Sequence, residues 1–484
     1  MAPGGLVRPA GAGGLPAAAG QGGGSMSQEA SPNAAAAEDA GWPSSIYSWF
    51  VVGILLLAYT NSFIDRQILT LLVEPIRNDF AISDTQFSVL TGLAFSATYT
   101  IAGLPFAWLS DRYSRRAVII TGITAWSIMT AACGLARSFG ALFVARMGVG
   151  IGEATLSPAA YSIISDYFPM KRRANAMSVY SIGVFIGAGL ALMVGGQVIQ
   201  MVAQGPIVVM PLIGELRPWQ LTFIYVAIPG PLIALLMLLV REPVRRGLAK
   251  TGGSAKIRPY MGERWRTFVP LLLAFGLSNI LPGAYAHWAP AFLMRSHHMD
   301  AATAGLVLGL MFLVGSTAGV ILSGKLVERL LASGRKDSPI AAQILAVVLC
   351  IPFAVLTPLV EGRWAIVLLG GLCFVFGLMH ALPVVSVQLV VPNQLRARAA
   401  AVYFLVSNFI AVGLGPVVVA MVSDYLLKDS AKIGLALAIV SVLAGTVSLL
   451  LFAITLGPYR RCAGEADTWV DASGGLASTG AVRA

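Results

Sequence analysis

The stretch "PMKRRANAMSVY", Pro169 to Tyr180, returns as "PNQLRARAAAVY", Pro392 to Tyr403. Pro, Arg, Ala, Ala and Tyr recur at identical relative places. A second, weaker pair is "SDRYSRR", ending at Arg116, and "VERLLASGRK", Val327 to Lys336. In that pair Asp111 and Arg112 correspond to Glu328 and Arg329. The chain therefore reads as two homologous halves in parallel orientation, which places a central pathway between them.

What each half contains follows from hydropathy. Of 484 residues, 57% are hydrophobic and 11% charged, with a mean hydropathy of +0.79. A soluble protein carries about 25% charged residues, so this chain is an integral membrane protein. Each helical span needs roughly 20 apolar residues. The apolar runs predict spans at 45–73, 84–109, 115–136, 139–167, 174–201, 219–240, 267–294, 302–327, 339–360, 364–390, 396–426 and 431–457. Residues 202–218, broken by Pro206, Pro211 and Pro218, read as a longer extracytoplasmic loop. The expected organisation is a disordered Gly/Ala/Pro-rich tail at 1–43 without a signal peptide, a six-helix bundle at 44–240, and a cytoplasmic linker at 241–266. A second six-helix bundle at 267–457 and a cytoplasmic tail at 458–484 complete it.

Basic residues set the sidedness, because cytoplasmic loops are enriched in Lys and Arg. The linker, the Arg112–Arg116 loop, the Lys171–Arg173 loop and the Lys325–Lys336 loop carry most of them. The opposite loops mostly carry one each, such as Arg77, Arg137 and Arg295. Both termini are expected in the cytoplasm. The net charge of +11 belongs to this topology; no basic face with interleaved aromatics suggests nucleic acid. Cys133, Cys350, Cys373 and Cys462 show no pairing or metal spacing, and no cofactor motif is present. "GVGIGEA" lies inside a span, not at a strand–helix turn, so it reads as helix packing and not as a phosphate loop. None of the seven Asn residues sits in a glycosylation sequon, which fits a bacterial cell membrane.

Charges inside spans mark candidate sites, since one at the bilayer centre costs about 2.5–3.5 kcal/mol on insertion scales. Asp65 and Arg66 sit in span 1, with Asn61 one turn before Asp65 on its face. Three readings stand: a self-neutralising pair that locks helices, an interfacial pair, or a titratable Asp65 beside an anion-gripping Arg66. Arg146 and Glu153 are two turns apart on one face of span 4, too far for an easy direct ion pair. Span 7 carries Asn279 and His287, and span 10 carries His380; each His reads as a proton relay or as hydrogen-bonded structure. The second half offers a more apolar lining, for which Phe275, Phe312 and Phe404 are candidates, each equally compatible with plain helix packing.

The loop "AWLSDRYSRR" resembles the G-x-x-x-D-R-x-G-R-R loop of the major facilitator superfamily, with Asp111, Arg112, Arg115 and Arg116 matching and Ala107 and Ser114 in place of the glycines. "RMGVGIGEA" is similar to that superfamily's span 4, with Arg146, Gly150 and Gly152. "NSFIDRQIL" and "SPAAYSIISDYFP" resemble its Spinster family, which is associated with lysosphingolipids such as sphingosine-1-phosphate and with lysophospholipids. The resemblance implies an all-α major facilitator fold with twelve transmembrane helices, spans 1 and 4 lining the cavity, and no enzymatic activity or cofactor. It implies a monomeric alternating-access transporter of an amphipathic lysolipid, with proton coupling through Asp65 and Glu153. Substrate would be held by Arg66, Arg146, Asn61, Asn279 and His287. A cytoplasmic gate would comprise Asp111, Arg112, Arg115, Arg116, Glu328 and Arg329, to which Arg146 is the alternative contributor. Two other expectations remain: a broad-specificity drug or organic-anion exporter, and a non-transporting receptor or scaffold.

Overall fold

The computed structural model describes residues 43–204, 208–210, 214–245, 257–332, 334–335, 337–392 and 395–465. The expected tail at 1–43 lies outside the described residues except for Pro43, as do residues 466–484. Twelve helices are long and apolar enough to cross a membrane. They are span 1 (Ser45–Leu71), span 2 (Asp84–Arg112), span 3 (Arg115–Gly134), span 4 (Phe139–Tyr167), span 5 (Asn175–Ala203) and span 6 (Pro218–Met237) in the first half. Span 7 (Trp265–Ser296), span 8 (Ala301–Leu330), span 9 (Ser338–Leu356), span 10 (Arg363–Leu389), span 11 (Arg398–Leu427) and span 12 (Ser430–Glu465) form the second. All lie close to the ranges read from hydropathy, because a helix is the one open structure that satisfies its own backbone in lipid.

Helix starts are set locally. Ser44, Ser83, Ser114 and Ser138 each accept a hydrogen bond from a first-turn amide, and such caps are worth about 1 kcal/mol. The last helix runs past the expected boundary at 457, through Pro458 to Glu465. Its extension is tied down: Tyr459 donates to the Ser386 carbonyl at 2.8 Å, and Arg460 meets Asp337 at 2.6 Å. Two further elements escape a hydropathy reading. Val208–Met210 pairs antiparallel with Gly214–Leu216 inside the long loop, and Ile257–Glu263 forms a short helix in the linker.

The halves meet along spans 5 and 8 and along spans 2 and 11. Small residues allow this. A methyl group on Gly196 would lie 2.5 Å from the Ala301 carbonyl oxygen, and one on Gly92 would lie 2.8 Å from that of Val412. Wide π-helical turns interrupt the spans at these contacts: Val89–Leu93 in span 2, Met311–Ser316 in span 8, Asn408–Leu414 in span 11. Such turns recur at functional sites, and here they sit at the interface between the halves.

Candidate functional site: a charged quartet in the first half

Span 1 can present its charges because span 5 packs close against it. A methyl group on Gly187 would lie 2.7 Å from Phe63 Cβ. Asp65 is buried at 1% exposure, as is Asn61 at 3% on the same face. Arg66, one residue on, turns about 100° away, and its side chain keeps 19% exposure.

Arg66 meets Glu153 of span 4. Its Nε and Nη2 each lie 2.6 Å from the same oxygen, Glu153 Oε2. Three rings surround the guanidinium: Phe63 at 4.8 Å, Phe95 at 4.6 Å and Tyr99 at 4.8 Å. This aromatic box favours a cation at its centre. Glu153 is fully buried, and its Oε1 has no partner. Arg146 lies behind: its Nη1 donates to the Asp65 carbonyl at 3.3 Å, and its guanidinium stands 5.5 Å from the Phe95 ring. No ion pair joins Arg146 to a described carboxylate. The four charges thus form one cross-linked pair and two separate buried charges, linked by backbone.

The second half places neutral groups at its side of the interface. Asn279 donates to the Tyr403 hydroxyl at 3.0 Å and to Ser407 Oγ at 2.9 Å. The His287 ring hydrogen-bonds Thr91 across the halves. Thr91 Oγ1 also lies 3.0 Å from the Phe87 carbonyl oxygen. His380 meets the Phe185 ring edge-on at 5.1 Å. Phe404 is exposed and Phe312 partly so, but Phe275 is fully buried against Tyr403 and Phe452. Phe275 belongs to the packing of the second half and cannot line a cavity.

The gating candidates separate into two groups. Asp111, Arg112, Glu328 and Arg329 are exposed, and Arg112 lies over the Trp108 ring at 4.3 Å. Arg115 is buried and bonds Asp166, Glu242 at 2.8 Å, Ser162 at 2.9 Å and the Pro243 carbonyl at 2.9 Å. Arg116 donates to the Val240 carbonyl at 3.1 Å. Arg245 caps the carbonyls of Ser110, Asp111 and Tyr113. This collar binds the start of the linker to the first half. Partial burial alone raises the Glu242 carboxyl, but donors from the Arg116 amide, Arg115 and Ser114 outweigh it and hold the group below the ordinary glutamate value.

The opposite end holds a cluster that sequence reading missed. Arg295, at the end of span 7, reaches Glu74 at 2.6 Å and both oxygens of Asp84 at 2.7 and 2.8 Å. Arg77 joins Asp84 at 3.0 Å. Asp424 of span 11 accepts from the Thr85 amide and hydroxyl, each at 2.7 Å. These bonds tie the two halves together at the end that carries the loop between spans 1 and 2. Arg77 and Arg295 had counted only as isolated loop charges. The neighbouring acids Glu74 and Asp84 were the available signal, but nothing in their spacing names a partner some 200 residues away.

The chain matches the model of the Major Facilitator Superfamily over residues 51–416. It belongs to that superfamily and is a transporter of the Spinster type. Among relatives, it is 30% identical to an MFS-type efflux pump of Mycolicibacterium smegmatis, covering 86% of this chain and 94% of the relative. It is 25% identical to Protein spinster of Drosophila melanogaster, over 79% of this chain and 63% of that one. A sphingosine-1-phosphate transporter of Xenopus tropicalis is 22% identical over 81% of this chain and 77% of its own. Among solved structures, a bacterial homologue of the human lysosomal transporter Spinster, inward-facing and occupied, superposes with a TM-score of 0.69 at 26% identity, over 87% and 98% of the two chains. The protein is thus an integral multi-pass membrane transporter of a small molecule, and the family is not one of enzymes.

Proposed function

We propose that this Spinster-type transporter moves an amphipathic lysolipid by alternating access, with proton coupling. The observation that carries the reading is Arg66, held in its aromatic box by Glu153 with part of its side chain still exposed. Two N–H groups bond Glu153, which leaves three of the five arginine donors for an anionic or zwitterionic headgroup. Phe404 and Phe312 on the second half supply apolar surface for a chain. Asp65 and Glu153 are the proton carriers, because a buried carboxylate is pushed toward neutrality and a nearby arginine opposes this. Asn61, Arg146, Asn279 and His287 complete the binding side chains.

The clamp around Arg295 closes one end, and the exposed Asp111 and Glu328 lie at the other. With the basic loops and both termini in the cytoplasm of a bacterial cell, this is an inward-facing state. In the outward-facing state Asp111 bonds across to the second half, and the loop group Asp111–Arg116 with Glu328 and Arg329 forms the inner gate.

The test is uptake in proteoliposomes of lysosphingolipids and lysophospholipids at several pH values, repeated with Arg66→Ala. Saturable lysolipid uptake that Arg66→Ala abolishes supports the reading; full uptake by the variant overturns it. The 30% identity to an efflux pump favours a second reading, export of drugs or organic anions. Competition by cationic drugs and none by lysolipids would select it.

A further inference from the structure

Ten buried polar atoms of the first half have no hydrogen-bond partner among the described residues, and six of them lie on spans 1, 3 and 4: Asn61 Oδ1, Asp65 Oδ1, Trp126 Nε1, Thr130 Oγ1, Arg146 Nε and Glu153 Oε1. Their residues are all between 0% and 3% exposed. A buried polar atom left unpaired costs about 1–3 kcal/mol, so six in one region call for a common cause.

The helices bring them to one place. Trp126 and Thr130 are one turn apart on span 3. Met129, on one side of that face, packs on Gly148 of span 4, where a methyl group would lie 2.6 Å from its Cγ. Ser127, on the other side, packs on Gly230 of span 6, and the same glycine faces Asn61 Nδ2 at 3.9 Å. The arc between these two contacts carries Trp126 and Thr130 and turns toward the Asn61–Asp65 face of span 1. Gly152, next to Glu153, lies against Trp126, and Arg146 reaches the Asp65 carbonyl. Spans 1, 3 and 4 thus face one another behind Arg66, inside the first half.

The chemistry of the set selects its occupant. Trp126 Nε1 and Arg146 Nε can only donate; Asn61 Oδ1 and the carboxylate oxygens accept; Thr130 does both. A metal cation would leave the donors unpaired and face Arg146. A small anion would leave the acceptors unpaired and face Asp65 and Glu153. Water alone satisfies both kinds, and buried water makes about three such bonds.

We propose that these spans enclose a chamber that binds a fixed cluster of water molecules, which joins Asp65 to Glu153 by hydrogen bonds within the first half. The site does not depend on the transport reading. If that reading also holds, a proton leaving one carboxyl passes to a neighbouring water, which releases another toward the second carboxyl. The exchange then needs no contact with the second half.

Trp288 is the internal control. It is equally buried, at 0%, but its Nε1 donates to the Pro416 carbonyl at 3.0 Å. Hydroxyl radicals generated by an X-ray pulse label side chains beside bound water. On the full chain in lipid nanodiscs, Trp126 is expected to be oxidised several-fold faster than Trp288, and Thr130→Val is expected to lower the Trp126 rate. Equal protection of the two tryptophans overturns the proposal. Thermal melting supplies a second readout. In a dry chamber Trp126→Phe deletes an unpaired donor, so an unchanged or higher melting temperature counts against the water site and a lower one supports it.

Discussion

Spans 1 and 4 of the first half are joined by charge, while spans 7 and 11 of the second are joined by neutral hydrogen bonds. On the first side Arg66 and Glu153 cross from span 1 to span 4 inside three aromatic rings. On the second, Asn279 of span 7 binds Tyr403 and Ser407 of span 11. Tyr403 is the repeat partner of Tyr180, which stacks on Tyr59 of span 1 at 4.6 Å. The two tyrosines therefore hold matching places in an inherited scaffold, while the groups beside them differ. Duplication conserves the packing that both halves need. The charged pair Arg66–Glu153 has no counterpart in the Asn279–Tyr403–Ser407 group of the second half.

The contrast breaks most readily at Arg66. Arg66→Ala strands Glu153 in the interior, and removing one partner of a buried pair costs about 3–5 kcal/mol. Thermal denaturation is expected to show a large loss of stability, and proteoliposome assays a loss of uptake. The double variant Arg66→Met/Glu153→Leu removes both charges and is expected to recover stability but not uptake. Recovery of both would make the pair a structural lock. In the same assay, Asp65→Asn and Glu153→Gln are expected to abolish pH dependence; full pH-dependent transport by both would end the proton assignment.

A smaller effect is expected at the clamp. Arg295→Ala leaves Asp84 with Arg77 alone, at a cost of about 2 kcal/mol to the closed end. Spin-label distances across that end should lengthen in a larger fraction of molecules, and an unchanged distribution would remove Arg295 from the gate. Of similar size in stability, and smaller in its effect on transport, is Asn279→Leu, which deletes two hydrogen bonds worth about 1 kcal/mol each. Uptake should fall less than threefold with its pH profile unmoved. A shifted profile would mean that the neutral half takes part in titration.

The smallest effect concerns the collar. Glu242 is held below its ordinary value, so its contribution is complete above the carboxylate range and is lost as pH falls through the lowered value. Acid melting curves of Glu242→Gln and the parent should converge at low pH. Curves that stay parallel would show that Glu242 contributes no linkage.

Much of this architecture was legible in the chain. Span positions, the duplication and the contrast between basic and nearly neutral loops all follow from local composition. So did the prominence of Asp65, Arg66, Arg146 and Glu153, because charge in an apolar run stands out. What was not legible depended on partners. The paired strands at 208–210 and 214–216 hide among prolines, and whether Phe275 lines or packs stays open until its packing on Phe452 is seen. Arg295 looks like an isolated loop charge until the end of span 7 is laid beside Asp84.

The division has one physical cause. In lipid each span must satisfy its backbone within itself, so the sequence by itself determined the twelve helices, their order and their two-fold repetition. Which face each helix turns to its neighbours is settled only when glycines such as Gly187 and Gly196 let the spans close up. The tertiary structure alone decided that Arg66, and not Arg146, takes Glu153 and that the halves are clamped at one end.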